Sequence, residues 1–164
     1  MDIELVTIGT ELLLGFTIDT NAAHLARALA SVGARVVRRT TVGDSEGDIR
    51  AAVTEALRRT GFVIATGGLG PTRDDVTKRV VAEIFGAPLE LDAEYLEVIR
   101  KRFADIGRIP MPASNRTQAE VPRGVTVLPN RWGTAPGLWL EGKPGVAILL
   151  PGVPQEMRML VEHE

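Results

Sequence analysis

Phe62-Val63-Ile64-Ala65-Thr66-Gly67-Gly68-Leu69-Gly70-Pro71-Thr72-Arg73-Asp74-Asp75-Val76-Thr77 carries an apolar run into a glycine-rich turn and out into a helical pattern. The glycines let the backbone turn tightly and bring N–H groups close to a bound group. A helix start beside such a turn adds unpaired N–H donors and the positive end of a dipole, which suits a phosphate. Asp74 and Asp75 in the same loop would repel a bare phosphate. They make sense where a divalent cation sits between carboxylate and phosphate, or where one of them activates a water or hydroxyl. A strand entering a glycine turn that opens a helix is also the joint of a parallel α/β sheet.

Outward from this joint the same alternation repeats. Ile3 to Ile8 reads as a buried first strand. Thr20 or Asn21 is expected to cap a helix with the stripe Ala22, Leu25, Ala26, Leu29 and Val32, stopped at Gly33. Ala34 to Val42 reads as a strand, and Ser45 caps a helix through Ile49, Val53, Ala56 and Leu57 that stops near Gly61. Phe62 to Ala65 is the third strand and Asp75 to Phe85 the third helix, closed by Gly86. Asp92 caps a fourth helix through Leu96, Ile99 and Phe103, ending at Gly107. Pro112 to Ala119 reads as a short helix. Val125 to Leu128, Leu138 to Glu141 and Val146 to Leu150 read as short strands, the last two a hairpin around Gly142-Lys143-Pro144-Gly145. A helix from near Gln155 is still running at Glu164, so a longer polypeptide is expected. The fold class that follows is one α/β domain over residues 1–164, a three-layer α/β/α arrangement with a mainly parallel sheet and an antiparallel C-terminal hairpin.

Composition narrows the function. The 164 residues carry a net charge of -2, which argues against a general nucleic-acid or membrane-surface binder. With no cysteine, disulfides, thiolate metal sites and a cysteine nucleophile are excluded. No run approaches a membrane span, and a cytoplasmic protein is expected. Gly137 to Lys143 fits the first seven positions of a P-loop, but Pro144 stands where a magnesium-holding Ser or Thr belongs.

Ligands of open α/β sheets bind outside the carboxyl ends of the strands. There the sequence gathers Thr10, Glu11, Asp44, and the loop with Gly67, Gly68, Gly70, Thr72, Asp74 and Asp75. Gly133-Thr134 and Pro151-Gly152, in two further backbone-rich loops, are expected to close the same rim. Glu11, Asp44 and Asp75 come from three strand ends and are expected to converge on one cation. In the assignment that follows, Gly67, Gly68, Gly70 and Thr72 hold a phosphate, Asp44 and Asp75 the metal, and Asp74 or Glu11 orients a water. Thr10, Gly133, Thr134, Pro151 and Gly152 are further ligand-contacting candidates. Lys78 and Arg79 read as salt-bridged helix surface, with Arg73 and Lys78 as alternative partners for phosphate oxygens.

Ordered blocks along nearly the whole chain resemble the N-terminal domain of the CinA family, the competence/damage-inducible proteins, which shares the molybdopterin-binding fold. These are Gly9 to Gly15, Asp19-Thr20-Asn21, Val42-Gly43-Asp44, Thr66 to Thr72, Asp74 to Thr77, Met111-Pro112, Asn115, Gln118-Ala119, Val121-Pro122, Gly133 to Gly137 and Leu150-Pro151-Gly152. Arg73 and Arg131-Trp132 depart from the family's usual residues, so ligand preference is open at those points. The resemblance implies hydrolysis of ADP-ribose to AMP and ribose 5-phosphate, with a divalent metal (magnesium, manganese or cobalt) and potassium. Related molybdenum-cofactor enzymes instead bind molybdopterin and adenylylate it, with an Asp matching Asp75 and a Thr where this chain has Leu69. A non-catalytic nucleotide- or pterin-binding regulatory module is the third alternative. The resemblance further implies a homo-oligomer, dimer or trimer, and a fused C-terminal deamidase domain in full-length members. That domain lies outside these residues.

Overall fold

The computed structural model describes residues 1–164. Six strands form one sheet in the order β2-β1-β3-β8-β7-β6: β1 Asp2–Ile8, β2 Arg35–Val42, β3 Phe62–Thr66, β6 Thr126–Leu128, β7 Gly137–Gly142 and β8 Gly145–Leu150. The first four in that order are parallel, and β7 and β6 complete the sheet antiparallel. β7 and β8 form the expected hairpin, with Gly142 opposite Gly145. The Gly137–Lys143 segment is therefore strand and turn.

Helices α2 (Thr20–Ser31) and α6 (Pro154–His163) cover one face of the sheet, where Leu25, Met157 and Leu160 pack on Ile3, Leu5 and Ile64. Helices α3 (Glu46–Thr60) and α4 (Thr77–Phe85) cover the other, where Ile49, Val53, Val80 and Val81 meet Val6, Val63 and Leu149. The inner parallel strands β1, β3 and β8 are covered on both faces and read as mostly apolar runs, whereas the edge strand β2 carries three arginines and is largely exposed. Helix α5 (Ala93–Asp105) forms a third cluster of Tyr95, Leu96, Ile99 and Phe103 with Ala119 of the 3-10 helix Ala113–Ala119.

Several expectations need correction. Asp19, not Thr20 or Asn21, caps α2, its carboxylate accepting the Ala22 N–H at 2.9 Å. Val32 follows the helix and is exposed rather than part of its buried stripe. Helix α4 starts at Thr77 rather than Asp75. A four-residue helix α1 (Thr10–Leu13) and a two-stranded antiparallel sheet of β4 (Leu89–Leu91) and β5 (Glu120–Pro122) went unread in the sequence. No helix is long and apolar enough to cross a membrane.

One polar pair interrupts the core. Glu4 of the central strand β1 is only 2% exposed and receives both Nε and Nη2 of Arg59 on α3, at 2.7 and 2.8 Å.

Candidate functional site

From β1 the chain runs to β2 on one side, then returns to β3 on the other side of β1. The two connections leave in opposite directions and cover opposite faces, so a crevice opens between the carboxyl ends of β1 and β3. A cleft of about 410 Å³ lies there. Ile8, Gly9, Thr66, Gly67 and Gly152 line it, walled by the segment from Glu11 to Asn21 and by the loop after β3.

Local geometry explains the glycines. Gly67 and Gly68 have φ of 109° and 67°, a region that other residues rarely enter. A Cβ on Gly67 would overlap the Ile8 carbonyl oxygen, and one on Gly68 the Thr77 hydroxyl. Gly152 approaches the Gly67 backbone so closely that a Cβ there would stand 3.2 Å from the Gly67 Cα. Leu69 is 5% exposed and anchors the loop in the main core, which accounts for an apolar side chain at that position.

The donors are distributed unequally. The Gly67 N–H is committed to the Leu150 carbonyl at 3.1 Å, so Gly67 contributes shape rather than a donor. The N–H groups of Gly68, Leu69 and Gly70 donate to no protein acceptor, and of these three residues Gly68 lines the cleft. Gly70 instead makes room for Asp75, whose carboxylate oxygen would lie 2.6 Å from a Cβ at that position. Thr72 also serves Asp75: its N–H and Oγ both donate to Oδ2, at 2.9 and 2.5 Å. Thr10 repeats this clamp across the cleft, its N–H and Oγ donating to Asp44 Oδ2 at 2.9 and 2.8 Å. Each aspartate keeps its Oδ1 free of protein donors.

The cleft is strongly acidic. Glu11, Asp19, Asp44, Asp74 and Asp75 line it, and no Lys, Arg or His does. Glu11 folds back over Gly9, where a Cβ would meet its Oε1 at 2.6 Å. The expected convergence of Glu11, Asp44 and Asp75 on one cation is corrected in one respect. They share the cleft, yet no three acidic or imidazole side chains are grouped as a ligand set. Hard carboxylate oxygens in ones and twos fit a cation that completes its shell with water and ligand phosphates, as magnesium does, rather than an all-protein cage.

Other candidates fall outside the cleft. Arg73 is exposed and does not line it; Lys78 donates to the Thr117 carbonyl, where burial pushes its pKa down to about 8. Arg79 pairs with Glu46. Pro151 is buried, and its carbonyl accepts the Thr66 hydroxyl at 2.9 Å. Gly133 and Thr134 are also corrected. Their loop reaches the same end of the sheet, but β7 stands two strands from β3, and the loop packs on α6 and α5. There Asn130, 1% exposed, accepts the N–H groups of Trp132 and Gly133 and donates to Glu156 at 2.6 Å. A Cβ on Gly133 would overlap the Glu156 carboxylate. Trp132 stacks on His163, with ring centroids 5.2 Å apart.

Burial raises the Glu156 pKa, against the opposing effects of the Asn130 hydrogen bond and the Arg102 charge. Ionised Glu156 therefore costs the folded state stability at high pH, and that cost disappears as pH falls through the raised value. Glu156→Gln keeps an acceptor for Asn130 without the charge. It is expected to melt above the wild type at about pH 8, the difference shrinking toward about pH 4 in thermal denaturation.

Asn21, like Asp19, is a cleft residue that sequence reasoning missed. It lines the cleft at 8% exposure, and its Nδ2 donates to the Gly152 carbonyl and the Thr66 hydroxyl at 2.9 and 3.1 Å. Those partners lie 131 and 45 residues away, so its only sequence signal was its place in the Asp19-Thr20-Asn21 block.

A family model described as a probable molybdopterin binding domain matches residues 4–164. A CinA-like protein of Gemmatimonas aurantiaca is 60% identical over 159 residues, covering 96% of this chain and 37% of the relative. A protein of Symbiobacterium thermophilum described as competence-damage inducible is 51% identical over 160 residues, covering 97% and 37%. The chain thus spans little more than a third of the length of these relatives. The solved structure of CinA from Thermoplasma acidophilum superposes with a TM-score of 0.89 at 35% identity, covering 98% of this chain and 94% of that one. MoaB, a molybdopterin biosynthesis enzyme of Thermus thermophilus, gives 0.63 at 18% identity over 98% and 87%, a likeness of fold alone.

Proposed function

This chain belongs to the molybdopterin-binding-domain family and within it to the CinA-like proteins, and on that premise we propose that it hydrolyses a nucleoside diphosphate sugar with the help of a divalent cation, ADP-ribose being the favoured substrate. One observation carries the reading: five carboxylates and no cationic side chain line a cleft that also presents the Gly68 N–H. A phosphate cannot enter such a cleft alone. It must arrive with cations, and a diphosphate shared with a metal meets that condition.

The Gly68 N–H points a dipole at a phosphate oxygen. Thr10 and Thr72 fix Asp44 and Asp75 by two hydrogen bonds each, so each Oδ1 is presented in one orientation. These two aspartates would hold the cation, which when bound would neutralise charge on the diphosphate. Glu11 and Asp74 accept no side-chain hydrogen bond from the protein and are available to orient a water and take its proton. The water oxygen forms a bond to one phosphorus, the bond from that phosphorus to the bridging oxygen breaks, and AMP and ribose 5-phosphate leave.

A second reading, molybdopterin binding or adenylylation, is favoured by the fold-level likeness to MoaB. It uses the same loop with a different acceptor in place of water. Calorimetry separates both from a metal-independent binding module. ADP-ribose is expected to bind at least about tenfold more weakly in chelator than in magnesium, because the carboxylates then face an unneutralised anion. Equal affinity in the two conditions would overturn the cation-bridged reading.

A further inference from the structure

Three buried side-chain atoms have no hydrogen-bond partner in the protein: Asn21 Oδ1, His24 Nε2 and Thr77 Oγ1. Of these residues, Asn21 alone lines the cleft. The orientation of its amide follows from its neighbours. The Gly152 carbonyl can only accept. Thr66 Oγ1 gives its proton to the Pro151 carbonyl, so it also accepts from Asn21. The NH2 group must face both, and Oδ1 is left as a buried acceptor without a donor. Such groups are normally satisfied.

We propose that Asn21 Oδ1 accepts a hydrogen bond from a sugar hydroxyl of the ligand and makes the cleft selective for a phosphorylated ribose. The inference rests on the phosphate reading of the loop after β3 and deepens it. Position selects the sugar over the base. Asn21 is bonded to Thr66 and Gly152, the residues beside and against Gly67, so its acceptor lies next to the phosphate loop. In a nucleotide the donors nearest the phosphate are ribose hydroxyls, while the amino groups of an adenine or pterin stand farther off.

The test compares ADP with 2',3'-dideoxy-ADP, titrated in magnesium into the wild-type chain and into Asn21→Leu. Wild type is expected to bind ADP at least about tenfold more tightly, because the dideoxy ligand leaves the acceptor unpaired. In Asn21→Leu the preference is expected to fall below about threefold. Wild type needs no substitution to give its result, so a variant that fails to fold does not spoil the test. Equal binding of both ligands to wild type would overturn the Asn21 assignment while leaving the phosphate reading standing. A preference that persists in folded Asn21→Leu would do the same. Binding of neither ligand would bring down the phosphate reading and this inference together.

Discussion

Asp75→Asn is expected to lower ADP-ribose turnover by about 10²–10⁴-fold while the protein stays folded. Thr72 gives Asp75 Oδ2 two donors, and the asparagine carbonyl can accept both. The amide NH2 then occupies the position of Oδ1. The clamp survives, the negative charge is lost, and a donor replaces an acceptor in the cleft. A thermal midpoint close to that of the wild type, measured beside steady-state kinetics, separates this loss from unfolding. Full activity in the variant would remove Asp75 from the chemistry.

Arg59→Leu is expected to lower the thermal midpoint by roughly 6–15 °C. Glu4 sits in the middle strand at 2% exposure, and both its carboxylate oxygens are held by Arg59. Removing the guanidinium leaves a buried carboxylate with no compensating charge. The double variant Glu4→Leu/Arg59→Leu removes the charge as well and is expected to recover most of the loss, because an apolar pair avoids desolvating ions altogether. Calorimetric scans of the three proteins decide the matter. A single variant as stable as the wild type would show that water reaches Glu4.

The main sheet and its helices were legible because each carries a local signal. The strand Ile3–Ile8 is an apolar run broken only by Glu4 and Thr7, and α3 has a serine cap, an apolar stripe and a left-handed Gly61 at its end. Strands β4 and β5 carry none. Three residues show no period, Pro122 argues against a strand, and their pairing joins segments about 30 residues apart. Helix α4 starts late because tight turns precede it, the Asp75 N–H donating to the Thr72 carbonyl and the Val76 N–H to that of Asp74.

The acidic half of the site was legible from topology, because residues following parallel strands share one rim. The partition of donors within it was not. Thr72 looks like a phosphate ligand in the sequence, and only the fold shows both its donors spent on Asp75. Gly133 and Thr134 misled for a related reason: they share a sheet end with the cleft but are separated from it laterally. Asn21 stayed hidden because its role depends on Thr66 and Gly152, partners that no local pattern links to it.

Phosphorus NMR of the purified chain with ADP-ribose, potassium and magnesium, manganese or cobalt follows the diphosphate bond itself. The diphosphate signals are expected to give way to two phosphomonoester signals, those of AMP and ribose 5-phosphate. A diphosphate unchanged across magnesium, manganese and cobalt would contradict the proposed hydrolysis.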